Sequence, residues 1–281
     1  MGEGRGPACV WVVGSDGGRR LRRMSSPLQW TVPTALDYFS TLVADDDSLN
    51  LAEAATAIAL DDFPRLDVQQ VMAELDRLGE RLRQRLPADA PPSHRLRMLN
   101  QYFHGELGFA GNVNDYYAVG NSYLHQVLAT RRGIPITLAI VYMELAAHVG
   151  LRVKGVSFPG HFLMKLRLPQ GEVVLDPFSG RSLGRGELDE FLSPWRERAG
   201  LMPQEPMSLD AFLGTASPRQ ILARILRNLK QIHMDRQDLP RLLAVQRKLV
   251  ALLPEDRVER AELEQALQQL RDAGGGPATF H

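Results

Sequence analysis

Three short strings in this chain of 281 residues hold side chains that work together in acyl chemistry. They are Arg132-Gly133-Ile134-Pro135, which opens an apolar helix running to Gly150, then Pro159-Gly160-His161-Phe162, then Leu175-Asp176-Pro177-Phe178. A thiolate nucleophile needs its pKa lowered, which the partial positive charge of a helix N-terminus supplies, and an imidazole to take its proton. The imidazole in turn needs a carboxylate to fix its tautomer. Helix start, His, Asp is the order of thiol hydrolases. His161 and Asp176 are equidistant from the Leu168/Pro169 step, so a reversal there lays them side by side. Counted back from Gly150, the first-turn position that a nucleophile would occupy is Pro135, whose ring has no titratable proton and no N–H. Proline is at ease there, because first-turn N–H groups lack helical partners anyway. Cys9, the only cysteine, lies in a Gly-rich terminal stretch far from any helix start.

Each of these residues also has a structural reading. His161 is either a general base or a histidine that bonds Asp176 simply to satisfy both. Asp176 orients that ring or caps the turn made by Pro177, and the two roles are compatible. Ser122, Thr137 and Ser157 are the hydroxyls that would have to replace the thiol, and any of them needs hydrogen-bond reach to the imidazole. No cofactor is called for and no metal site is expected. The seven histidines are scattered, and His161 with Asp176 supplies two ligands where catalytic zinc takes about three from the protein.

The elements that must position these residues follow from periodicity. Between Pro33 and about His104 the pattern is helical, with stripes at Leu36, Phe39 and Leu42 or Val43, at Leu51, Ala54, Ala55, Ile58 and Ala59 with Ser48 as cap, and from Val68 to Leu86. Gly105 to Asn121 reads as an irregular loop carrying Phe109, Tyr116 and Tyr117. Ser122–Arg131 is expected as one helix. Pro135–Val149 is expected as another, so broadly apolar that it must be buried against a sheet, with Glu144 and His148 marking its exposed strip. Val153–Phe158, His161–Leu168 and Glu172–Leu175 are antiparallel strands, with Pro169-Gln170-Gly171 as the hairpin turn. The fold class is therefore α+β. Residues 31–182 form the main domain, 183–216 a linker with one short helix, and 217–272 a small helical unit that must dock on the domain because one repeat cannot bury its own faces. Residues 1–30 read as a disordered tail, with Met24 as a second start, and 273–281 as a frayed one.

The strings Gly120-Asn121-Ser122-Tyr123-Leu124, Val127-Leu128, Arg131 to Leu138, Pro159-Gly160-His161-Phe162-Leu163 and Asp176-Pro177-Phe178 resemble the SirB-type transglutaminase-like proteins of bacteria. The likeness covers roughly Leu36 to Leu270. It implies a transglutaminase/papain-like helical lobe plus a small antiparallel sheet, followed by an α-helical tetratricopeptide-like appendage. It names a fold better than a reaction, and Pro135 stands at the position of the family's catalytic cysteine.

Composition narrows the function classes. With 33 Lys and Arg against 33 Asp and Glu the formal charge is zero, which leaves no electrostatic footprint for nucleic acid or an anionic membrane. The apolar run Ala8–Val13 is too short for a signal-peptide core, and nothing approaches a membrane span. A single cysteine excludes an internal disulfide and suits a reducing compartment, so a cytoplasmic protein is expected. The reading that follows is a transglutaminase-like protein without a nucleophile, regulatory or scaffolding, that binds a protein or peptide partner. Its groove is built from Tyr116, Asn121, Ser122, Arg132, Pro135, Thr137, Phe162 and Phe178 around a vestigial His161/Asp176 dyad. The alternative is an amide-bond hydrolase or acyltransferase using the dyad with another nucleophile or water.

Overall fold

Helix α6, Pro135–His148, is apolar on every side, and ten of its fourteen residues are buried. A helix with no polar face has to be wrapped by other elements. In this protein, described by a computed structural model over residues 33–198 and 208–274, helices cover one side of it and a small sheet the other. The expected tail 1–30 with Cys9 and Met24, the linker residues Gly200, Pro203 and Pro206, and residues 275–281 lie outside the described residues.

The N-terminal helices are α1, Ala35–Leu42, α2, Leu51–Ala57, α3, Val68–Arg83, and α4, Pro92–Asn100, the last continuing into a π-helical turn over Gln101–Glu106. Thr34 and Asp37 cap α1 reciprocally. The cap of α2 is Asn50, not Ser48. Asn50 Oδ1 accepts the Glu53 N–H at 3.0 Å, whereas the Ser48 hydroxyl turns back to the Asp45 carbonyl. Helix α3 lies against α6, and Gly79 makes the close approach possible, since a Cβ there would stand 2.2 Å from the His148 ring. Glu144 and His148 are consequently half-buried under α3 rather than forming an exposed strip. Burial raises the Glu144 carboxyl above its ordinary pKa, and His148 Nε2 lies 3.3 Å from Asp76.

The loop expected over 105–121 contains strand β1, Ala110–Gly111, which pairs in parallel with β2, Arg132–Gly133, on the far side of helix α5, Leu124–Thr130. Helix α5 starts later and ends earlier than expected, behind a 3₁₀ turn over Val119–Ser122 and before Arg131, whose φ of 60° reverses the chain. The second sheet is antiparallel in the order β3, Lys154–Val156, β4, Leu163–Leu168, β5, Gly171–Leu175, β6, Ser182–Leu183. The α+β class follows directly from these elements.

Residues 183–216 are not a linker in their described part. They hold helix α7, Arg185–Arg198, and a 3₁₀ turn over Leu209–Phe212. Leu188 and Leu192 of α7 are buried with Val156, Phe158, Leu163, Val174, Leu209 and Leu213 in a second apolar cluster on the sheet. The chain then forms α8, Pro218–Asp235, α9, Leu239–Leu252, and α10, Arg257–Gly274. Ile221, Leu222, Ile225, Leu226 and Leu229 of α8 belong to the same core as Phe39, Leu75 and Tyr142. Helices α8 and α9 are part of the central packing, and α10 packs on α9.

Candidate functional site

The hairpin that carries the dyad turns at Pro169-Gln170, because Leu168 pairs with Gly171 and the ladder runs back to Met164 opposite Leu175. Its axis therefore falls one residue later than equal spacing of His161 and Asp176 places it. His161 stands in the turn ahead of β4, with Gly160 in the left-handed region at φ 71°, and Asp176 stands just past β5. The two meet from the flanks of the strands instead of as a cross-strand pair. His161 Nε2 lies 2.9 Å from Asp176 Oδ1.

Asp176 has further donors. Its Oδ1 accepts the Phe178 N–H at 2.9 Å, and its Oδ2 accepts the Ser179 N–H at 3.2 Å and the Ser179 hydroxyl at 2.6 Å. Burial alone would raise this carboxyl, but the bonds from His161, Ser179 and Phe178 outweigh it and hold the pKa below the ordinary value. One carboxylate thus orients the imidazole and caps the Asp-Pro turn. Because folded Asp176 binds its proton more weakly than the unfolded chain does, its stabilisation is complete above pH 3.8 and is lost as pH falls through the lower folded value. Wild type should exceed Asp176→Asn by about 1–3 kcal/mol near neutrality, a gap that closes in acid; denaturant melts across pH showing a constant gap would contradict this.

A cavity of about 150 Å³ adjoins the dyad. Ile134, Pro135 and Ile136 at the start of α6 form one wall, Gly160, His161 and Phe162 another, and Tyr116 with Arg224 and Asn228 of α8 the third. Pro135 is buried at the first position of its helix. Behind the dyad, Phe191 of α7 stacks on His161, with ring centroids 5.4 Å apart.

Four of the residues named from sequence therefore share this cavity: Tyr116, Pro135, His161 and Phe162. The others stand elsewhere. Asn121 is 4% exposed, and its amide donates to the Asp115 and Tyr116 carbonyls at 2.7 and 3.0 Å while accepting from Asn112, so it braces the loop below Tyr116. Thr137 is fully buried, its hydroxyl 2.7 Å from the Asn121 carbonyl. The buried Ser122 hydroxyl has no hydrogen-bond partner among the described residues. Ser157 accepts from Arg224 Nη1 at 3.0 Å. None of these three hydroxyls is bonded to His161, whose hydrogen bond among the described side chains goes to Asp176. Arg132 is exposed and donates to the Gly108 carbonyl at 2.6 Å, steadying β1 and β2. Phe178 covers Gly111, where a Cβ would fall 2.1 Å from its ring, and lies 6.1 Å from the Tyr116 ring. Gly111→Ala must push that ring aside, so a loss of about 1–3 kcal/mol and a shift of the Phe178 ring resonances are expected in thermal melts and NMR. An unchanged melting temperature would contradict this packing.

Arg224, Asn228 and Phe191 were not foreseen. The available signal for the first two was a polar pair four residues apart on an otherwise apolar stripe of α8. No helix among the described residues is long and apolar enough to cross a membrane, and no group of three or more His, Cys, Asp or Glu among them is placed to hold a metal ion.

Residues 69–227 match the transglutaminase-like superfamily, a span that runs from α3 into α8 and includes Arg224 as well as Pro135, His161 and Asp176. A UPF0162 protein of Xylella fastidiosa is 36% identical over 216 residues, 76% of each chain. A UPF0162 protein of Pseudomonas aeruginosa is 37% identical over 185 residues, 65% of this chain and 64% of the other. The UPF0162 protein YchA of Escherichia coli K12 is 27% identical over 199 residues, 70% of this chain and 71% of its own. No solved structure matches the chain. On the extent of the matched domain and of the Xylella likeness together, the chain belongs to the transglutaminase-like superfamily, beside the UPF0162 proteins.

Proposed function

We propose that this protein is a non-catalytic member of the superfamily that binds a protein or peptide partner at the cavity beside His161, in a regulatory or scaffolding role in the bacterial cytoplasm. The observation that carries the reading is Pro135. The residue that opens α6 and shares a cavity with the oriented imidazole offers neither a thiol nor a hydroxyl, and the nearby hydroxyls of Thr137 and Ser157 are held by other groups. The SirB-type resemblance, with tetratricopeptide-like helices at the C-terminus, supports a protein rather than a small metabolite as partner. The test is turnover. Wild type and His161→Ala, incubated with amide-bearing peptides and amine acceptors, should release product at the same background rate while the wild type retains bound peptide. A rate in the wild type that disappears in His161→Ala would establish the hydrolase or acyltransferase reading instead.

A further inference from the structure

Arg224 enters the cavity from α8 as a cation with no carboxylate among the described residues to meet it. Its Nη1 donates to Ser157 Oγ at 3.0 Å and to the Phe158 carbonyl at 3.3 Å, and its guanidinium carbon lies 5.7 Å from the centre of the Phe162 ring. Among the described residues its Nε and Nη2 have no hydrogen-bond partner, and no Asp or Glu lies within ion-pair distance, whereas Arg219, Arg227 and Arg241 of the same helical region each reach a carboxylate. The site's own carboxylate, Asp176, is committed to His161, Ser179 and the Phe178 N–H. Burial lowers the pKa of the Arg224 guanidinium, the mark of a charge withdrawn from water without a counter-ion.

A partly desolvated guanidinium with free fork donors favours a planar anion that takes two N–H bonds at once. Asn228 stands one helical turn further along α8 and adds an amide donor to the same cavity, and Tyr116 adds a hydroxyl. Ile134, Ile136 and Phe162 supply apolar walls for a short hydrocarbon stem. A space of about 150 Å³ takes a group about as large as a benzene ring, which admits a carboxylate on a stem of a few carbons and refuses a nucleotide or a folded segment. A single arginine with neutral donors suits a monoanion better than the dianion of a phosphate.

Resting on the binding role proposed above, we infer that Arg224 and Asn228 make this cavity a carboxylate-recognition site, which takes either an acidic side chain or the C-terminal carboxylate of a peptide. The helix that supplies them thereby takes part in ligand selection.

The experiment titrates the full chain with four probes, followed by NMR of the arginine Nε–H signals and by calorimetry. They are an acetylated tripeptide amide with a central Glu, the same with a central Gln, the Gln tripeptide with a free C-terminus, and inorganic phosphate. Either carboxylate probe should bind about tenfold or more tighter than the neutral one, the value of a hydrogen-bonded charge, and should shift the Arg224 signal. Which of the two binds tighter identifies the source of the carboxylate. Arg224→Gln should erase the preference, and Arg224→Lys should retain part of it. Equal affinity for charged and neutral probes, no binding by any probe, a preference for phosphate, or a preference that survives in folded Arg224→Gln would each overturn the inference. The wild-type comparison decides even if that variant does not fold. Cleavage of a probe would instead overturn the non-catalytic reading, and leaves the carboxylate preference to be read from the rates of charged and neutral probes.

Discussion

A chain ended before Ser217 is expected to have no cooperative thermal transition. Helix α8 buries Ile221, Leu222, Ile225, Leu226 and Leu229 at 0–3% exposure in the same core as α2 and α6. At about 1.5–3 kcal/mol for each fully buried aliphatic side chain, these five contribute roughly 8–15 kcal/mol, as much as the whole stability of an ordinary domain. The polar ties run the same way. Arg219 Nη2 donates to the Val43 carbonyl at 2.8 Å, and Arg241 Nε reaches Asp62 at 2.7 Å, the carboxylate that also accepts the Tyr123 hydroxyl. Lys248 is 1% exposed, donates to the Ile58 carbonyl at 3.1 Å and pairs with Asp61. Cutting the chain would leave Asp61 and Asp62 without their cations and open the apolar faces of α2 and α6 to water. Circular dichroism and calorimetry of the shortened chain should show a broad, non-sigmoidal melt. A sharp transition near the wild-type temperature would mean that the C-terminal helices are dispensable. A partner's attachment to these helices is accordingly tested by substitutions on their exposed faces, since deletion removes the fold along with the surface.

How far the sequence could be read depended on whether local pattern or distant packing decided each element. Helix α6 was legible from Pro135 to within one residue of its end, because a broadly apolar run between Pro135 and Gly150 has one helical solution. The hairpin was legible too, since β-rich runs flank Pro169-Gln170-Gly171, although the placement of its axis depended on which residues the turn itself took up. Helix α7 was obscured by Pro194 inside it and by the Gly and Pro residues around it. What secures α7 is the burial of Leu188 and Leu192 against the sheet, a contact that no local period announces. Asn121, Ser122 and Thr137 stand beside the site in sequence and were expected in the groove, yet the polar groups of Asn121 and Thr137 brace the loop and the start of α6, and the Ser122 hydroxyl is buried away from the cavity. Arg224 lies far along the chain from His161, and only the fold of α8 against α6 brings them to one cavity. Sequence proximity therefore overstated the first group and missed the second.

The site's design can be examined by returning the missing atom. In a Cys9→Ser background, Pro135→Cys would place a thiol at the first position of α6, buried beside His161, where the helix N-terminus and the oriented imidazole both favour a thiolate. The decisive measurement is the pH dependence of alkylation of that thiol by iodoacetamide. The structure predicts ionisation well below the value of about 8.5 for a free cysteine, moving back toward it when His161 is also changed to Ala. A thiol that titrates at or above about 8.5 and ignores His161 would show that Pro135 does not stand where a nucleophile would.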